Sequence, residues 1–261
     1  MDAKRCFVVT GIAFFLAADA PRYKTPEALV ADYAHAVSRV GSPEGLAFPL
    51  ARYFACAAFR AGSDAGCAAL DRHAPVPHEG YPTCRALYHQ GRMIKDAVEG
   101  KDAVAACVEF ARHQEAGRED ADTAAEAAEF CRGLLPHYAR GDAAGACDFM
   151  RREDGVYGVD PKTDKPLSRE ACLRDNIFLA GEVGRCAALK DEQEREHCRD
   201  KAGLIRALRT GRPAPAAGTM YAPLADPAAA CAGPARRALK TYDSFITGRK
   251  DDEQVAMEDG I

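Results

Sequence analysis

Residues 127–147 read AAEFCRGLLPHYARGDAAGAC, and the fold is decided by how this stretch is read. Ala127, Phe130, Cys131, Leu134 and Tyr138 recur at helical spacing and form one apolar face with a cysteine on it. Gly141 suits the left-handed position after a helix end, and Asp142 suits the cap of the next helix. Cys147 then falls early in that second helix. A helix with a cysteine, a glycine turn and a second helix with a cysteine have the grammar of an αα-hairpin.

The same grammar occurs three more times. Cys56 is followed by Gly62-Ser63-Asp64 and Cys67, and Cys84 by Gly100-Lys101-Asp102 and Cys107. Cys172 is followed by Gly181-Glu182 and Cys186. The copies start at Cys56, Cys84, Cys131 and Cys172, which gives no fixed solenoid period. Further stripes carry a cysteine: Val104, Cys107, Val108 and Ala111, and Cys198, Ala202, Ile205 and Leu208. Alternating β-branched runs are missing. The expected fold is all-α, with about eight to ten short helices packed as antiparallel hairpins in an irregular helical repeat or bundle, cross-linked by disulfides.

Composition says why such a fold needs cross-links. The hydrophobic set is 48% of 261 residues and charged residues are 28%, as in a globular chain. Alanine dominates the apolar set and there is no tryptophan. Alanine favours helix but buries little area, so the core is thin and covalent staples are useful. The net charge is −4 and no segment carries a basic stripe, which argues against nucleic acid as a partner. No apolar run approaches the roughly 20 residues of a transmembrane span.

The first 20 residues have the parts of a secretory signal peptide. Lys4 and Arg5 precede the apolar run Cys6 to Leu16, and Ala17, Ala18, Asp19 and Ala20 supply small residues for cleavage. The expected organisation is a signal at 1–20, a helical domain at 21–248 with a possible linker at 211–229, and a flexible acidic tail at 249–261. Of 11 cysteines, Cys6 lies in the signal, and an even set remains. No C-x-x-C occurs, which argues against zinc ribbons, thioredoxin-like motifs and c-type haem attachment. A secreted or periplasmic location follows as an expectation.

Spacing suggests some pairings. Cys56 and Cys67 flank Gly62 almost symmetrically, and Cys186 and Cys198 flank Glu192. The latter competes with Cys172–Cys186. Cys131–Cys147 ranks next, while Cys84, Cys107, Cys172 and Cys231 are expected to be paired with partners left open. Thr25 and Pro26 should start a helix over 26–40, Pro49 should break the following one, and a last helix should run from about Pro234 to Thr247. Ala235, Ala238, Leu239, Tyr242 and Phe245 should form its apolar face.

The usual motifs of nucleotide binding, serine hydrolysis and zinc proteolysis are absent, and no cofactor or catalytic residue is expected. The loop from Asp154 to Asp164 fails the calcium-loop register, because Lys162 and Ala171 occupy ligand positions. Two weaker constellations remain. His73 and His78, with Glu79, could hold a metal if His89 joined them from the next helix. Glu109 and His113, four apart on one helix face, could be an acid–base pair or half of a metal site. Asp191 should pair with Arg195 at the start of a helix. The function expected is a non-catalytic exported protein, binding or structural, with a protein or cell-envelope partner. The alternatives are an exported hydrolase with a dispersed acid–base site, or a metal- or small-ligand-binding protein.

Overall fold

The structure is a computed structural model that describes residues 22–40, 43–73, 83–114, 121–160, 165–212 and 220–247. The expected signal, the His78 loop and the tail lie outside these residues. The fold is all-α. Twelve α-helices are described: α1 (Pro26–Ala31), α2 (Tyr33–Val40), α3 (Pro43–Ala61), α4 (Ala68–His73), α5 (Cys84–Val98), α6 (Val104–Gln114), α7 (Ala121–Arg140), α8 (Ala143–Asp154), α9 (Arg169–Asp175), α10 (Glu192–Thr210), α11 (Ala222–Ala225) and α12 (Ala232–Thr247). Short 3-10 turns cover Asp64–Cys67, Ile177–Ala180 and Val183–Ala188. One two-residue antiparallel ladder, Val159–Asp160 against Lys165–Pro166, was not foreseen.

Local chemistry sets most boundaries. The Thr25 hydroxyl accepts from the Ala28 amide at 3.2 Å and starts α1. The helix expected over 26–40 is split at Asp32, whose amide bonds back to the Ala28 carbonyl. Pro49 does not break α3, which runs through it. Proline removes one ladder bond there, and burial of Leu46, Leu50 and Phe54 on either side holds the helix together. Gly141 takes the left-handed conformation foreseen for it, at φ 73°, and Asp142 caps α8 by accepting from Gly145 N at 2.8 Å.

The core runs through α3, α5, α10 and α12. Leu46, Leu50, Leu87, Ile94, Leu204, Ile205, Tyr221 and Tyr242 are fully buried. The stretch 220–225 belongs to this core rather than to a linker. Tyr221 donates to the Leu87 carbonyl at 3.3 Å, and Gly91 makes room for its ring. A Cβ at Gly91 would stand 2.5 Å from Tyr221 Cε1. Phe245, expected inside, is 40% exposed. It lies over Gly45, where a Cβ would come within 2.3 Å of Phe245 Cζ.

A buried ion pair crosses the core. Arg52 of α3 donates from Nε and Nη2 to Asp200 Oδ2 of α10, at 3.0 and 2.6 Å. Its Nη1 reaches Glu196 at 2.6 Å, and Asp200 Oδ1 accepts from the Met220 amide at 3.0 Å. At the start of α10, Arg195 pairs with Glu192. Asp191 is the cap, accepting from the Gln193 and Glu194 amides.

The ten cysteines from Cys56 onward form five disulfides: Cys56–Cys231, Cys67–Cys84, Cys107–Cys131, Cys147–Cys172 and Cys186–Cys198. The pairing Cys56–Cys67 is therefore corrected. Cys67 lies in a 3-10 turn, not in a helix antiparallel to α3, so the assumed equal heights do not apply. Its sulfur meets Cys84 at the start of α5, while Cys56 meets α12. Cys131–Cys147 is also corrected. Cys131 lies ten residues before Gly141 and Cys147 six after it, so the two stand at different heights on α7 and α8. Cys172 pairs with Cys147, not with Cys186. Three of the bridges, Cys67–Cys84, Cys107–Cys131 and Cys147–Cys172, thus join the second cysteine of one hairpin to the first of the next.

Candidate functional site

The α5–α6 hairpin brings two histidines together. His89 and His113 each lie twelve residues from Lys101 in the connecting turn, which puts them at the same height on antiparallel helices. Their rings stack, with centroids 5.4 Å apart and planes 10° apart. Arg85 and His89 are on the less buried side of α5, opposite Leu87, Ile94 and Ala97. The Thr83 hydroxyl accepts from Ala86 N at 3.1 Å and fixes where this stripe begins.

Asp64 comes to the same place from the turn after α3. Ser63, not Asp64, caps the 3-10 turn, accepting from Ala65 N, which leaves the Asp64 carboxylate directed at α5. The Cys67–Cys84 disulfide ties this turn to the first residue of α5. Asp64 Oδ2 lies 3.7 Å from His89 Nε2 and accepts from Arg85 Nη1 at 2.9 Å. One side-chain donor atom each from Asp64, His89 and His113 lies within 4.8 Å of the other two. Glu109 borders the group, with Oε2 at 3.7 Å from His113 Nε2 and Oε1 accepting from Arg112 at 2.7 Å.

The electrostatics favour neutral imidazoles. Burial lowers the His89 pKa below its ordinary value, and the neighbouring His113 lowers it further against the pull of Asp64. Burial likewise lowers His113, against the pull of Glu109. A neutral imidazole offers a lone pair, the form in which histidine ligates a metal or accepts a proton. The side chains remain partly open, at 16% exposure for His89 and 25% for His113, so a small solute reaches them.

His89 and the Glu109–His113 pair are candidates on sequence, but in two separate groups that the structure joins. His89 is not joined to His73, which is exposed at the end of α4; His78 and Glu79 lie outside the described residues. In sequence Asp64 shows only as part of the Gly62-Ser63-Asp64 turn. The signal that could have found this site is the equal distance of both histidines from the Gly100-Lys101-Asp102 turn. Two further histidines have neighbours outside this group. His137 lies 3.1 Å from Asp142, and His197 is partly buried, edge-on against Phe48. Comparison with known proteins adds no identity: no family matches the chain, and no curated protein or solved structure resembles it.

Proposed function

We propose that this chain is an exported, non-catalytic helical protein that serves as a binding or structural part of the cell envelope or the space outside the cell. The observation that carries the reading is the pairing of every cysteine from Cys56 to Cys231. Five bridges fit an oxidising compartment, since a reducing cytosol keeps thiols free. The basic, apolar and small-residue order of residues 1–20 supports export independently. Among the described residues no helix is long and apolar enough to cross a membrane.

A stapled helical stack offers rigid surfaces to a partner. One such surface is the open cleft between α7 and α8, where Phe130 and Phe149 lie among Glu126, Glu129, Glu153 and Asp154. Gly133 lets the helices close up there, as a Cβ would stand 2.2 Å from the Phe149 ring. Hydrolysis has less support, because the described histidines other than His89 and His113 have separate neighbours. The test is cell fractionation followed by non-reducing peptide mapping. A processed chain outside the cytosol carrying five bridges supports the reading. A cytosolic product with titratable native thiols overturns it.

A further inference from the structure

We propose that Asp64, His89 and His113 form a binding site for a divalent transition-metal ion of the zinc class. This goes beyond the exported role above and does not depend on it. Three observations carry it: the donor set, its convergence and its fixed frame.

Two imidazoles and one carboxylate are a donor set suited to zinc and its first-row neighbours. Three protein ligands leave a position for water, as in open zinc sites. Zinc bonds of about 2.0–2.1 Å place tetrahedral donors about 3.4 Å apart. Asp64 Oδ2 and His89 Nε2 already lie 3.7 Å apart, and the whole set lies within 4.8 Å. Closing the remaining gap takes a tilt of the two stacked rings about their soft ring torsions.

The frame holds these donors on three segments of chain. Cys67–Cys84 fastens the Asp64 turn to α5, and Cys107–Cys131 fastens α6 to α7. The charged groups acting on the two histidines are the carboxylates of Asp64 and Glu109 and the guanidinium groups of Arg85 and Arg112, with Asp71 bonded to Arg85. Arg85 competes for Asp64 Oδ2, but it keeps Asp71 at 2.8 Å when an ion takes that oxygen.

The test uses the full chain, oxidised, without a polyhistidine tag and stripped by chelator. Zn2+ alone is titrated by calorimetry, and Co2+ alone by its visible absorption. The expected result is one ion per chain, with Mg2+ and Ca2+ failing to compete. His89→Gln, His113→Gln and Asp64→Asn should each weaken zinc by about a hundredfold or more, since even outer-shell losses cost about 10–100-fold. Their disulfide maps should be unchanged. His73→Gln/His78→Gln should bind like the parent. In the unaltered protein, zinc should shift the imidazole nitrogen signals of His89 and His113, a readout that needs no variant to fold. No saturable binding, full binding by His89→Gln, loss confined to the His73/His78 variant, or shifts confined to other histidines would each overturn the proposal.

Discussion

Cys56 and Cys231 are bonded across a sequence separation of 175 residues, with Cα atoms 5.9 Å apart. The bridge fastens α3 to the start of α12 and closes the chain into one covalent ring. In the chain-entropy description a bridge stabilises according to the loop it closes. The shorter loops inside leave roughly 100 residues free in this one, equivalent to about 4.7 kcal/mol. Cys186–Cys198 closes a loop of separation 12, equivalent to roughly 3 kcal/mol. Replacing each pair by alanine should therefore lower the denaturation midpoint more for Cys56–Cys231. Equal midpoints would refute the ranking.

Arg52 is 4% exposed and holds Asp200, itself 1% exposed. Removing one partner strands the other charge. Arg52→Met should destabilise by about 3–5 kcal/mol in chemical denaturation. Arg52→Met/Asp200→Asn should recover part of that loss, because the asparagine carbonyl still accepts from the Met220 amide. A double variant as unstable as the single one would show that the charge is not the cause.

Lys201 of α10 and His197 make stability depend on pH at opposite ends. Burial lowers Lys201 to about 8, and its ammonium lies 3.9 Å from the centre of the Phe178 ring. The unfolded chain binds this proton more tightly, so stability should rise as pH goes from about 8 to 10.5. Lys201→Met should flatten that rise. His197 is pushed well below its ordinary value, first by burial and then by Lys201 and Arg52. The unfolded imidazole again takes the proton more readily, so stability should fall as pH drops below about 6.5. His197→Leu should soften that limb relative to the parent, in which His89 and His113 contribute as well. Urea midpoints across pH 5–10.5 (about the range of the two ordinary values) would decide both, and parallel curves for parent and variants would exclude them.

Gly141 and Gly100 both adopt positive φ, at 73° and 72°. At Gly141 a Cβ would also stand 2.7 Å from the Leu179 carbonyl oxygen and 2.6 Å from Arg209 Nη2, whereas nothing lies within 4 Å at Gly100. Gly100→Ala should cost about 1 kcal/mol from the backbone alone. Gly141→Ala should cost about 2–3 kcal/mol, with clash added to strain. Thermal midpoints that fall equally would contradict the role of the Leu179 contact.

Periodicity carried the helix class, the Thr25 cap and the left-handed turn at Gly141, because these depend on neighbours in sequence. Spacing about Glu192 also carried Cys186–Cys198, but Cys56–Cys67 and Cys131–Cys147 did not follow, because a sulfur's direction depends on rotation about each helix axis. A 3-10 turn at Asp64–Cys67 changes that rotation without changing composition. Pro49 misled for a related reason: its local penalty is outweighed by burial that only the assembled core supplies. Arg52 and Asp200 look like surface charges until α3 and α10 are packed together. At the site, Glu109 and His113 were legible as a helical pair, and His89 as a ligand type. Their union with Asp64 needed the hairpin to be closed at its actual height.

The order of the bridges bears on how the chain matures. A polypeptide threaded N-terminus first into an oxidising space presents Cys56 before all its partners and Cys231 last. Joining thiols two by two as they emerge would produce Cys56–Cys67, Cys84–Cys107, Cys131–Cys147, Cys172–Cys186 and Cys198–Cys231. None of these is native. Once Cys56 is set aside, the same rule yields the remaining four correctly. The phase of the whole ladder therefore turns on whether Cys56 bonds with Cys67 or with Cys231. Alkylation trapping during oxidative refolding should reveal a Cys56–Cys67 species that disappears with added isomerase, and should find none in Cys56→Ser.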